Sequence, residues 1–204
     1  MSVLKPEITF VPMPMIKIEK RTRYDIIFLG QEDISALKSP ATLSFIESTS
    51  RYIVKFISSI LYSQDNLEHQ QKKKTELLFL KIKNFFCYLR QFASITGSEL
   101  VYTTFLVQKL IESENQDFCE DKNIITITDK NMGTVLICAV ILAMKMIQDV
   151  VEYKNCWFAK AFGMNLDLLN LSEIAFFNQL NFSIALERKQ FIRLYSQIIQ
   201  TSES

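Results

Sequence analysis

Glycine, proline and histidine are scarce in this chain, and each shortage removes a class of function. The four glycines, Gly30, Gly97, Gly133 and Gly163, stand apart, with no GxGxxG or GxxxxGK[ST] among them. A nucleotide would therefore lack its usual backbone cradle. The single histidine, His69, lies in a polar stretch, so a histidine base or a histidine-rich metal site has little material. The chain is read as non-catalytic, with no cofactor and no metal. The four cysteines, Cys87, Cys119, Cys138 and Cys156, show no CxxC spacing and are expected to be reduced, buried thiols of an intracellular protein. Charge of one sign is lacking too: the formal net charge is +1. Phosphate binding needs clustered basic excess, so nucleic acid is not an expected partner. Long apolar runs are missing as well, since the longest spans ten residues and crossing a bilayer takes roughly 20. No membrane span is expected. The first residues are interrupted by Lys5, Pro6, Glu7, Pro12 and Pro14, which does not suit a secretory signal. The expected location is intracellular, in cytoplasm, nucleus or both.

What is present is apolar periodicity. Val135 to Met144 has no polar break, so no face is left for water and the segment is expected to be a helix enclosed on every side. Thr128 is placed to cap it and Asp129 falls in its first turn. Lys145, Gln148, Asp149 and Glu152 follow the apolar run, so the helix is expected to surface at its end, where charge meets Met146.

All four prolines precede residue 41, which separates an arm (1–38) from a helical body. The arm holds two short apolar patches around a basic run from Lys17 to Arg23. Ser39 is read as an N-cap and Pro40 as a first helical residue, opening a helix to about Tyr62 with Ile53, Phe56, Ile57, Ile60 and Leu61 on one stripe. A polar connector from Ser63 to Glu76 contains Lys72 to Lys74, read as a solvated loop or helix end. Ile82, Phe85, Phe86, Leu89, Phe92 and Ala93 mark the next helix. Thr96 and Glu99 form a capping box for another, which carries Leu100, Val101, Phe105, Leu106 and Leu110. After an acidic connector from Glu112 to Thr126 comes the apolar helix, then a short one begun by Asn155 and stopped by Gly163. Asn165 or Asp167 starts the next, with Leu168, Leu171, Ile174, Phe177 and Leu180 as its apolar positions. Phe191, Leu194, Tyr195 and Ile198 mark a closing amphipathic helix before the polar end TSES. The expected fold is all-α.

This order of helices, with a wholly buried third one in a five-helix unit, resembles the cyclin box. Residues 131 to 149, NMGTVLICAVILAMKMIQD, resemble the third box helix of the P-type, phosphate-regulation cyclins through Asn131, Ala143, Lys145 and Asp149. Asn155, Ala159 and Gly163 are similar to the fourth helix, Asn170, Glu173, Phe177 and Phe182 to the fifth and its exit, and Tyr88-Leu89-Arg90 to the first. The resemblance covers about residues 50 to 200. It departs where the family has His-Arg and this chain has Gly133-Thr134, and where Asp-Arg becomes Gln108-Lys109. In relatives those arginines tie box helices together. The expected organisation is an arm (1–38), an N-terminal helix with connector (39–78), a single box (79–185), and a C-terminal helix with polar tail (186–204).

The resemblance implies a regulatory subunit that binds and activates a cyclin-dependent protein kinase in the cell cycle or a related process. An inhibitor or substrate adaptor is a further partner it allows. In cyclins a lysine ending the third helix and a glutamate in the fifth hold the backbone of the kinase's regulatory helix region, and here these are Lys145 and Glu173. Both are expected at the surface. Met146, Phe177, Phe182 and Ile184 are the candidate apolar anchors. Asp149 is the candidate partner for an arginine of the kinase activation segment, replacing a phosphate; an acid near a helix C-terminus is mildly unfavourable by dipole alone. Two alternatives stand beside this reading: a transcription-factor-like cyclin fold, and a helical adaptor that binds no kinase.

Overall fold

The computed structural model describes residues 37–62, 68–116 and 125–201. Nearly all of the arm, the basic run from Lys17 to Arg23, Cys119 and the end of the tail lie outside the described residues. Within them the chain is all-helical: α1 (Leu43–Leu61), α2 (Glu68–Ala93), α3 (Gly97–Gln116), α4 (Met132–Ile147), α5 (Asn155–Ala161), α6 (Leu166–Gln179) and α7 (Arg188–Gln200). The only β-type pairing among the described residues is an isolated bridge between Pro40 and Thr96.

The unbroken apolar run is the centre of the molecule. Every residue from Val135 to Met144 is buried, with Ala139, Val140 and Ala143 fully so. Burying a large aliphatic side chain contributes roughly 1.5–3 kcal/mol, so this one helix supplies a large share of the driving force. It packs on α3 and α6, while α1 packs on α2, α3 and α7. Its start differs from the expectation. Asn131 takes the N-cap position and Thr128 sits a turn earlier. The Thr128 N–H donates to Asn131 Oδ1 at 2.8 Å, and the Asn131 amide also holds the Thr126 carbonyl. The chain is thereby turned before the helix begins.

α1 also starts later than expected. Thr42 caps it, accepting from the Phe45 N–H, because Pro40 is occupied in the bridge and the Ala41 N–H donates to the Ile95 carbonyl at 2.8 Å. Residues 37–41 form a strap across the α2–α3 turn, with the Leu37 carbonyl accepting from Ser98 and the Ala41 carbonyl from Arg90. Ser48, Thr49 and Ser50 are buried on α1, and Thr103 and Thr104 on α3. Each donates its hydroxyl to the carbonyl four residues back, so burial leaves no orphan donor. The Thr96–Glu99 capping box forms as read, with both reciprocal bonds present.

The two polar connectors are shorter than their composition suggested. Glu68 to Glu76 is the opening of α2, which carries His69 and Lys72 to Lys74 on its solvated side, and Glu112 to Gln116 is the end of α3. Charged, straight-chain residues are good helix formers, so polarity alone did not mark a loop. α6 has a further surprise. Asn165 caps it through the Leu168 N–H, but the buried residues are Leu169, Glu173 and Phe176. Leu168, Leu171 and Ile174 point outward, each more than half exposed. α7 closes the molecule through Leu194, Tyr195 and Ile198, with a capping box between Glu187 and Gln190.

Candidate functional site

The helix that is apolar throughout emerges from the core at Lys145. Its ammonium donates to both carboxylate oxygens of Glu173 on α6, at 2.6 and 2.9 Å. Glu173 also accepts from the Asn155 side chain at 2.6 Å, and the same amide group reaches Asn170 at 2.8 Å. The ends of α4, α5 and α6 are thus joined by one polar network.

The two charged partners are not alike. The Lys145 side chain is 38% exposed, whereas that of Glu173 is 12% exposed. The expectation of two surface groups therefore holds for Lys145 and is corrected for Glu173. The reason is helical register: Glu173 falls on the same face as Leu169, Phe176 and Leu180, the face that packs inward. Its buried charge is tolerated because three donor contacts surround it. Beneath the pair, burial first and then the Glu173 charge push the Cys138 thiol up to about 12. The three described cysteines are all free; Cys138 is buried as expected, whereas Cys87 is half-buried and Cys156 exposed. Cys119 lies outside the described residues.

The exit from α6 holds the second element of the site. Asn181 and Phe182 both have positive φ, 50° and 57°. Left-handed conformations cost non-glycine residues roughly 1–2 kcal/mol each. The turn is held by Phe182 N–H donating to the Phe177 carbonyl at 3.1 Å, and by the two rings meeting edge to face at 5.0 Å. Its product is a phenylalanine ring held 64% exposed at the surface. Lys109 braces the following residue, donating to the carbonyl and the hydroxyl of Ser183.

Lys145, Met146, Glu173, Phe177 and Phe182 thus lie at the α4 end, on α6 and at its exit. Met146 is exposed and Phe177 half-buried. Ile184 is buried, and its carbonyl accepts from Tyr102 OH at 2.6 Å, so its side chain belongs to the core in the free chain. Asp149 is exposed beyond the end of α4, on a shallow groove shared with Val150 and Glu152. It makes no part of the Lys145–Glu173 network. The sequence reading did not assign Asn155 or Asn170 to the site, nor Leu168, Leu171 and Ile174 to an exposed stripe. Asparagine at the start of a short helix carries an ordinary capping signal, which masked its second role. No group of His, Cys, Asp and Glu among the described residues could hold a metal ion, and no described helix is long and apolar enough to cross a membrane.

A family model described as Cyclin matches residues 40–184, well over half of the chain. The chain belongs to the cyclin family. No curated protein and no solved structure matches it. The matched span is all-helical among the described residues and has the buried α4 within it. The match begins at Pro40 and so takes in α1 as well. Other polar ties join the helices of this cyclin. Lys109 reaches across to Ser183, and Gln148, just past α4, donates to the buried Glu99 at 2.7 Å. Gly133 is exposed with nothing within 4 Å of an added Cβ, so packing does not demand a glycine there.

Proposed function

We propose that this cyclin is a non-catalytic regulatory subunit that binds and activates a cyclin-dependent protein kinase, and that it is of the P type, the phosphate-regulation class. The observation that carries this reading is the Lys145–Glu173 pair, prebonded at 2.6 Å between α4 and α6 beside large apolar side chains left in water. An ammonium has three donors, and Glu173 takes two contacts, so Lys145 keeps a donor for a backbone carbonyl of the kinase. Glu173 offers its remaining exposed edge to a backbone N–H. Charged groups that bond a partner's backbone fix register, and Met146 and Phe182 supply burial around them.

Activation follows from differential binding. The kinase is driven toward the arrangement that this surface fits better, by tenfold for each 1.4 kcal/mol of difference. Asp149 carries a second part of the proposal: one exposed acid past the end of α4, available to an activation-segment arginine in place of a phosphate. The test is to purify the tagged chain with its bound proteins and identify them by mass spectrometry, then assay kinase activity with and without the chain. Recovery of a cyclin-dependent kinase that the chain stimulates is expected. Recovery without any kinase, or a kinase indifferent to the chain, would refute the function while leaving family membership intact.

A further inference from the structure

Apart from the α4–α6 network, an open cleft of about 400 Å³ lies between α1 and α2. Arg51, Lys55 and Ser58 line it from α1, and Thr75, Glu76 and Phe79 from α2. Like charges four residues apart on a helix repel, so Arg51 and Lys55 together disfavour the empty helix slightly. Glu47 offsets only part of this. It bonds Lys83 at 2.6 Å and Arg51 at 3.0 Å, and those two cations, Lys83 first, hold its carboxyl below the usual range.

The Arg51 guanidinium is positioned before any ligand arrives. It lies 4.2 Å over the Phe79 ring and commits one amino group to Glu47. A guanidinium carries five N–H donors in one plane, so most remain for an outside acceptor. The side chains of Lys55, Ser58 and Thr75 have no hydrogen-bond or ionic partner among the described residues. The cleft therefore gathers a fixed guanidinium, an ammonium and two hydroxyls, all donors with capacity to spare, beside the apolar surface of Phe79 and Val54.

We propose that the α1–α2 cleft is a docking site for a phosphoserine- or phosphothreonine-bearing peptide, with Arg51 and Lys55 gripping the phosphate and Ser58 and Thr75 completing its hydrogen bonds. Phosphate suits this set because it offers several strong acceptor oxygens and close to two negative charges. A peptide suits it better than a free anion, since the cleft far exceeds one phosphate and its apolar wall needs an apolar neighbour to cover it. Glu76 opposes the phosphate and sets the affinity at a moderate level. None of the residues assigned to kinase binding lines this cleft, so the site stands independently of that reading.

The experiment uses the full chain and a fluorescein-labelled peptide pool with a central phosphothreonine and degenerate flanks, read by anisotropy. The same pool with threonine or glutamate at the centre, and inorganic phosphate as competitor, form the other arms. The phosphorylated pool is expected to bind roughly tenfold or more tighter than either, and more weakly as salt rises. Lys55→Ala, which removes an exposed side chain without internal partners, is expected to lose roughly tenfold in affinity with an unchanged melt, whereas Glu76→Gln tightens binding about two- to threefold. Arg51→Ala is expected to bind least. Equal binding of the phosphothreonine and glutamate pools, saturation by inorganic phosphate at the same affinity, or wild-type binding by Lys55→Ala would each overturn the proposal.

Discussion

The Lys145–Glu173 pair makes an asymmetric prediction, because its two members are buried to different depths. Lys145→Ala leaves the Glu173 carboxylate, 12% exposed, with only the Asn155 amide as a partner. Breaking a fully buried pair from one side costs about 3–5 kcal/mol. Here the lysine side chain is 38% exposed, so water enters where it was and the loss should be reduced to about 1–2 kcal/mol. Glu173→Ala strands an ammonium that can turn to solvent, and Asn155 keeps Asn170; that change should cost about 1 kcal/mol, chiefly packing. Removing both groups deletes the stranded carboxylate along with its partner. The double variant should therefore be more stable than the sum of the singles predicts, by about 1 kcal/mol. Denaturant melts of the four proteins measure it, with a corresponding fall of roughly 2–8 °C in the melting temperature of Lys145→Ala. Additivity within about 0.3 kcal/mol would refute the reasoning, and so would a Lys145→Ala change no larger than that of an exposed lysine such as Lys73.

Three further outcomes follow from the same structure. Ala139 is fully buried in α4, so Ala139→Asp should cost several kcal/mol of the roughly 5–15 a domain possesses and leave no cooperative thermal transition. Phe182 has φ 57° and an exposed ring, so Phe182→Gly should leave the melt within about 0.5 kcal/mol of wild type, relief of the left-handed strain offsetting the lost contact with Phe177; a large destabilisation would show that ring to be core. The Cys138 thiol is raised to about 12 in the folded chain from an ordinary value near 9, so folding holds its proton more tightly than unfolding does. Its contribution is complete below about pH 9 and is lost as pH rises toward 12. Wild type should lose about 1.4 kcal/mol per pH unit more than Cys138→Ala across that window, and a parallel pair of stability curves would count against it.

Much of the fold was legible because its strongest signals were local. An apolar run with no polar break can only be a core helix, and the Thr96–Glu99 spacing announced a helix start that the hydrogen bonds display. The caps of α1 and α4 moved because tertiary pairing intervened: Pro40 faces Thr96, and Asn131 rather than Thr128 meets the helix. α6 was the hardest to read. It has leucine, isoleucine or phenylalanine on nearly all sides, so apolar spacing could not choose the inner face. That choice is made by α4 and α5, through contacts distant in sequence. Glu173 illustrates the consequence. Resemblance singled it out, but nothing in the sequence said that it would be buried and tied to Asn155 as well as Lys145.

The central claim is that the α4–α6 surface binds a kinase, and the most direct measurement compares kinase capture across variants that leave the fold intact. The tagged wild-type chain, Phe182→Ala, Lys145→Ala and the exposed control Lys73→Ala would be purified in parallel, with bound kinase quantified by mass spectrometry and folding checked by melts. Truncating a side chain at the centre of an interface costs about 2–4 kcal/mol, so recovery with Phe182→Ala and Lys145→Ala should fall roughly thirty-fold or more while Lys73→Ala matches wild type. Equal kinase recovery from all four folded proteins would contradict the account.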